Sequence, residues 1–376
     1  MLNGKRILFA TGGTGGHINP ALAVAGYIRD NYPDAKILFV GTAEKMEAKL
    51  VPNAGFDFRT IDISGFQRSF SLNNIKRNLG TLKKLLFVTG QSKRIIKEFS
   101  PDVVVGFGGY VSGPVLRTAS KMGIPIAIHE QNAYPGVTNK ALAKRAEAVM
   151  LTVKDAEKYL ESKNPCIHTG LPVRSEIVSQ DRDFARAELK LDDRPMVLSM
   201  GGSLGARAIN DAVAEMMAKL VPDNDIHFHH AYGQYGKWFP DKLRELGIDI
   251  ESHKNLTIRE YIDNMHCCLA AADLVICRAG ASSLSEFEAV GKPSILIPSP
   301  NVAENHQFHN AMALVNNGAA VIIEEKDLTG ERLALEVRNL ISDKKRLTEI
   351  GENAKKMAIP DTLERITSII SEIACK

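Results

Sequence analysis

The sequence predicts an α/β fold of two doubly wound, Rossmann-like domains that face each other across a cleft. Three observations carry this. Short β-branched runs alternate with longer segments of helical spacing along the chain, the pattern of parallel sheets covered by helices on both faces. The opening Ile7-Leu8-Phe9-Ala10-Thr11-Gly12-Gly13-Thr14-Gly15-Gly16-His17 is echoed by Val197-Leu198-Ser199-Met200-Gly201-Gly202-Ser203-Leu204-Gly205-Ala206. Between them, Gly170-Leu171-Pro172 interrupts the pattern.

Taken in order, the first half places strands at Arg6–Ala10, Lys36–Val40, Asp102–Gly106, Pro125–His129 and Ala148–Leu151. Helical spacing marks Pro20–Asn31 and Ser112–Met122. The polar stretch Ser175–Asp193 reads as a bridge with a short helix. The second half places strands at Met196–Met200, Ile226–His230, Leu256–Ile258, Leu274–Cys277, Ser294–Ile297 and Ala320–Ile323. A length of 376 residues suits two cores better than one, with domains at about 1–170 and 171–359.

Composition narrows the function class. Apolar content of 44% with 24% charge is that of a globular protein. No run reaches the roughly 18 apolar residues of a membrane span, and Ile7-Leu8-Phe9 is too short for a signal-peptide core. A cytoplasmic location is therefore expected. A net charge of +3 argues against a nucleic-acid partner. The five cysteines form no CxxC pair, so reduced, mostly buried thiols are expected.

Open α/β sheets bind ligands just beyond the carboxyl ends of their strands. Thr14, Gly15 and Gly16 lie there, suited to close approach of an anion to a helix N-terminus. No Gly-Lys-Ser/Thr follows, so this is not a P-loop. Ile18 replaces the third glycine of GxGxxG, and no acidic residue ends the second strand, which argues against a dinucleotide cofactor. The alignment of the two glycine turns pairs Gly16 with Gly205 and His17 with Ala206. His17 is thus peculiar to the first turn. It reads as a general base beside a helix dipole or as a capping and phosphate-contacting residue.

In the second half, Ser203 sits in an anion-ready turn. After Leu274–Cys277 comes Arg278-Ala279-Gly280-Ala281-Ser282-Ser283-Leu284-Ser285-Glu286, a strand, a small-residue turn and a helix starting near Ser282. Its free N–H groups and serines suit a diphosphate, and Glu286 suits the hydroxyls of a ribose. A capped surface helix fits the string equally well. Gln307 follows a further strand and addresses a sugar or simply begins a helix, Gln307–Asn316. Asp181-Arg182-Asp183 and Asp223-Asn224-Asp225 match Asp-x-Asp but read as cap and turn carboxylates; no metal and no cofactor are expected.

Together these strings, with Gly106–Pro114, His129-Glu130-Gln131-Asn132, Pro135–Lys140 and Asn305-His306-Gln307, resemble the MurG family of undecaprenyl-diphospho-muramoylpentapeptide N-acetylglucosaminyltransferases. The resemblance runs in the family's order from about residue 7 to 320. It implies a GT-B fold and an inverting transfer from UDP-N-acetylglucosamine to lipid I, giving lipid II. It implies donor contacts at Thr14, Gly15, Gly16, Asn132, Arg174, Ser203, Ile262, Ala281, Ser282, Ser283, Leu284, Ser285, Glu286 and Gln307. It implies catalytic roles at His17 and Glu130 and an acceptor loop at Gly108, Gly109, Tyr110 and Ser112. The first domain would face acceptor and membrane, the second would bind UDP-N-acetylglucosamine, and a last helix at about 360–376 would return to the first. The join departs from the family: Leu171 stands where Asn is frequent.

A lipid-linked acceptor requires a membrane surface. Ile75, Leu79, Leu82 and Leu86 form one helical stripe, flanked by Lys76, Arg77, Lys83 and Lys84. That pattern suits an anionic membrane on its cytoplasmic face, bound peripherally. An ordinary sheet-packing helix is the alternative. Rival functions are a UDP-N-acetylglucosamine 2-epimerase-like isomerase and a non-catalytic UDP-sugar sensor.

Overall fold

The structure, a computed structural model, describes residues 1–63 and 87–376. It divides into two compact units, Met1–Pro172 with Ile359–Lys376, and Val173–Ala358.

Among its described residues the first unit holds seven parallel strands: β1 (Arg6–Ala10), β2 (Lys36–Gly41), β3 (Asp57–Thr60), β4 (Val103–Gly106), β5 (Ile126–Glu130), β6 (Ala148–Leu151) and β7 (Cys166–His168). Their order is β3-β2-β1-β4-β5-β6-β7. Both faces are covered, so the central strands are apolar without interruption. Ile7, Phe9, Val103 and Val105 enter one core, while Leu8, Ala10 and Val104 enter the other. Helices α1 (Gly15–Asn31), α2 (Glu47–Asn53), α3 (residues 87–99), α4 (Ser112–Lys121) and α5 (Val137–Ala143) connect them.

The second unit begins with two short helices, α6 (Ser175–Ser179) and α7 (Arg182–Glu188). Six parallel strands follow: β8 (Met196–Met200), β9 (His227–Ala231), β10 (Leu256–Arg259), β11 (Leu274–Cys277), β12 (Ser294–Leu296) and β13 (Val321–Ile322). Their order, β10-β9-β8-β11-β12-β13, repeats the first sheet's winding. Its helices include α8 (Arg207–Leu220), α9 (Phe239–Glu245), α10 (Met265–Ala271), α11 (Ala281–Val290), α12 (His306–Val315), α13 (Gly330–Ser342) and α14 (Lys344–Met357). The chain ends in α15 (Thr362–Ala374), whose Ile366, Ile370 and Ile373 are buried in the first unit's core beside α1.

The two Rossmann-like sheets are those the sequence predicts, and most strand ends agree within a residue. The strands β3 and β7 lie outside the prediction. Both are sheet edges, and mostly exposed residues leave no apolar run to read. Helix α1 starts five residues before the predicted Pro20, because Gly15 and Gly16 have weak helix propensity and read as loop. The stripe Ile75, Lys76, Arg77, Leu79, Leu82, Lys83, Lys84 and Leu86 lies outside the described residues. Among the described residues no helix is long and apolar enough to cross a membrane.

Candidate functional site

In each sheet the winding reverses between two adjacent strands, β1 and β4 in one unit and β8 and β11 in the other. The loops leaving these strands flank the switch point, where doubly wound folds take ligands. The first unit gathers Thr11–Thr14 and Phe107–Val111 there. The second gathers Gly201–Ala206 and Arg278–Gly280.

The first glycine turn is held by a residue the sequence analysis missed. Glu47 is fully buried, and its Oε2 accepts the Gly13 N–H at 3.0 Å. Its Oε1 accepts the Thr42 N–H at 3.0 Å and the Thr42 hydroxyl at 2.7 Å. Burial pushes this carboxyl upward, but the hydrogen bonds from Thr42 and Gly13 outweigh it and hold the group below the usual carboxylate range. A Cβ on Gly12 would lie 2.6 Å from Glu47 Oε1, so the glycine admits the carboxylate.

Thr14 and Gly16 are exposed at the start of α1, Gly15 is half-buried, and His17 stands in the helix's first turn. His17 Nδ1 lies 3.1 Å from Gln131 Oε1. Its ring rests on Gly108, where a Cβ would approach Nδ1 to 2.8 Å. Gly108 and Gly109 have φ of +91° and +82°, and a Cβ on Gly109 would lie 2.2 Å from the Gly12 carbonyl oxygen. The loop after β4 and the glycine turn are thus pressed together through their glycines. Tyr110 is exposed.

Two named side chains serve the scaffold instead of offering reactive atoms. The Ser112 hydroxyl is buried and lies 2.7 Å from the carbonyl oxygens of Ala10 and Gly108. Glu130 is 2% exposed; its Oε1 accepts from the Asn132 N–H and Nδ2, and its Oε2 from the Gly136 N–H and Asn139 Nδ2. Four donors fix this carboxylate as the post that shapes the loop after β5, including Asn132.

The second glycine turn is not a copy of the first. Helix α8 begins at Arg207, and Ala206 is its N-cap, whereas His17 lies inside α1. Gly202 and Gly205, with φ of +87° and +84°, open a wider turn closed by the Gly205 N–H on the Gly202 carbonyl. Ser203 is exposed on it.

Helix α11 starts at Ala281, with Gly280 as N-cap. Ser282 and Ser283 are half-buried in its first turn. Leu284 and Ile262 are 4% and 7% exposed, and their side chains belong to the core. Ser285 is buried as well. Ile262 follows β10, at the far edge of the sheet from the switch point. Glu286 accepts from Arg174 Nε and Nη2 at 3.3 and 3.1 Å. Burial raises its pKa, and Arg174 opposes that rise. Arg278 is turned away to the Ile297 carbonyl and Glu325. Gln307, in α12, accepts the Ser299 N–H through Oε1 at 2.9 Å.

The Asp-x-Asp strings have local partners. Asp181 caps α7 by accepting from the Phe184 N–H, and Asp223 and Asp225 both pair with Arg338. Among the described residues no three His, Cys, Asp or Glu side chains converge as metal ligands. The five cysteines are free thiols, three of them buried.

Two doubly wound units with glycine turns at their switch points are an architecture that glycosyltransferases adopt, and sequence comparison gives the family. Residues 7–151 match the glycosyltransferase family 28 N-terminal domain, and residues 196–366 match its C-terminal domain. The chain belongs to glycosyltransferase family 28. A relative from Acetivibrio thermocellus is 44% identical over 369 residues, covering 98% of each chain. It is named UDP-N-acetylglucosamine--N-acetylmuramyl-(pentapeptide) pyrophosphoryl-undecaprenol N-acetylglucosamine transferase. A relative of the same name from Clostridioides difficile is 42% identical, covering 98% of this chain and 89% of its own. The crystal structure of Acinetobacter baumannii MurG superposes with a TM-score of 0.78 at 29% identity, covering 98% of this chain and 99% of that one. A UDP co-structure of S. aureus MnaA, at a TM-score of 0.68 and 14% identity, shares the fold alone.

Proposed function

We propose that this enzyme transfers N-acetylglucosamine from UDP-N-acetylglucosamine to the muramoyl sugar of lipid I, giving lipid II with inversion at the anomeric carbon. The observation that carries this reading is 44% identity, over 98% of both chains, to a transferase of that name. In this reading the second unit holds UDP. The N-terminus of α11 and the Arg174 guanidinium stabilise the leaving diphosphate, and Glu286 binds the ribose. The first unit takes the acceptor at Thr14–Gly16 and Gly108–Tyr110. His17 removes the proton from the acceptor hydroxyl. The resulting oxygen attacks the anomeric carbon from the face opposite UDP.

Labelled UDP-N-acetylglucosamine incubated with lipid I should give labelled lipid II. Release of UDP with an epimerised sugar and no lipid product would instead identify the isomerase, and donor binding without turnover the sensor.

In this reading, a lipid-linked acceptor calls for an enzyme bound peripherally to an anionic membrane, at its cytoplasmic face. The stripe Ile75, Leu79, Leu82 and Leu86 with Lys76, Arg77, Lys83 and Lys84 is the docking segment in this reading, each cation contributing about 1 kcal/mol. Charge reversal of those four cations should release the protein from anionic vesicles at low salt and leave UDP binding intact. Continued sedimentation of the reversed variant would remove the segment from the docking surface.

A further inference from the structure

The amide of Gln131 connects two histidines, and its polarity is fixed from behind. Gln131 is 3% exposed. Its Nε2 lies 3.0 Å from the Phe107 carbonyl oxygen and 3.2 Å from that of His129. Carbonyl oxygens only accept, so the amide must present its NH2 to them. The same NH2 lies 3.3 Å from His129 Nδ1. His129 in turn has Nε2 2.9 Å from the Gly170 carbonyl oxygen, which requires Nε2 to carry the proton. Its Nδ1 is then an acceptor, and the Gln131 NH2 is the matching donor. His129 is fully buried and stacked on Phe107, and desolvation holds its pKa down to about 4. It is a neutral, permanently oriented ring at ordinary pH.

With the NH2 committed, Gln131 Oε1 is the atom that meets His17 Nδ1 at 3.1 Å. An amide oxygen cannot donate. A hydrogen bond at this distance places a proton on His17 Nδ1 and, in the neutral ring, the lone pair on Nε2.

We propose that Gln131 is a positioning residue for His17: it holds the imidazole as the Nδ1–H tautomer, so that Nε2 is the nitrogen that takes the acceptor's proton. The tautomer half of this stands on geometry. The catalytic half rests on the reading of His17 as the base. The polarity runs from the Gly170 carbonyl through His129 and the Gln131 amide to His17, all within one unit. A neutral amide in this place orients the base without making the imidazolium a weaker acid, as a carboxylate partner would. Its use suits a base that must release the proton after each turnover.

The test is a long-range 1H–15N correlation spectrum of the full chain labelled in histidine, at a pH where His17 is neutral. The expected spectrum shows His17 Nδ1 as the protonated nitrogen and Nε2 as the unprotonated one. His17 found as the Nε2–H tautomer would overturn the proposal, and this wild-type measurement needs no variant. In Gln131→Met, checked for folding by circular dichroism, the tautomer should lose that bias. The kcat should fall at least about 10-fold while the KM for UDP-N-acetylglucosamine stays within about two-fold, a part of the effect of removing a base. A His17 tautomer indifferent to Gln131→Met would also overturn it. A tautomer that follows Gln131 with kcat unchanged would uphold the hydrogen-bond assignment and dismiss the base reading, so the two failures separate.

Discussion

Arg174 and Glu286 meet at one carboxylate oxygen: the guanidinium Nε and Nη2 lie 3.3 and 3.1 Å from Glu286 Oε1. The arginine side chain is half exposed, while the glutamate's is only 18% exposed. Burial raises the Glu286 pKa and the arginine works against that rise. Glu286→Ala is expected to weaken UDP-N-acetylglucosamine binding by about 1–3 kcal/mol, the loss of hydrogen bonds to a charged acceptor. Unchanged affinity by titration calorimetry would take Glu286 out of the donor site.

His17 should govern turnover more than binding. His17→Ala is expected to lower kcat by roughly 10²–10⁴-fold with donor affinity nearly kept, the usual scale for removing a general base. Steady-state kinetics with lipid I decide it. A kcat within a few-fold of wild type places the base elsewhere.

Glu47 should matter for the integrity of the glycine turn. Glu47→Ala strands three donors, the Gly13 and Thr42 N–H groups and the Thr42 hydroxyl, around a buried cavity. A loss of about 1–3 kcal/mol is expected in urea unfolding, with Glu47→Gln milder because it keeps one acceptor oxygen. Equal stability of all three proteins would show that the turn stands without this carboxylate.

Acid should act on buried imidazoles late. Desolvation is the main cause that holds His129 and His229 at about 4, and desolvation holds His230 at about 3. Each folded pKa lies below the ordinary value of 6.5, so the unfolded chain binds more protons as pH falls. Their stabilisation is complete above about pH 6.5 and drains away between there and about pH 4. Glu288, which burial raises to about 7, acts in the opposite sense over an overlapping range. A site-resolved measurement therefore reads better than a melting curve. The ring resonances of these three histidines should stay still from pH 8 to 5, and a midpoint near 6.5 for any of them would contradict its burial.

Metal should be dispensable for transfer. Three of the four carboxylates of the two Asp-x-Asp strings have other work: Asp181 caps a helix, and Asp223 and Asp225 pair with Arg338. Activity is expected to survive excess EDTA. Complete loss, restored by Mg²⁺, would refute this.

The sequence by itself determined the two parallel sheets and where their ligand-facing turns fall. A strand buried on both faces must be apolar throughout, as Ile7–Ala10 and Val103–Val105 are, and a sharp turn before a helix needs glycine at positive φ, as at Gly13, Gly202 and Gly205. Those requirements act on neighbours in the chain and leave a local trace. What only the tertiary structure decided was the use of polar side chains. Glu47 reaches Gly13, Gln131 reaches His17, and Glu130 is consumed by its own loop. None of this shows in a string, because a hydrogen bond is assigned by direction and distance in space. The string offers Glu130 for chemistry and gives Gln131 no role, until the fold closes a cage of donors around the first and hands the second a histidine to hold.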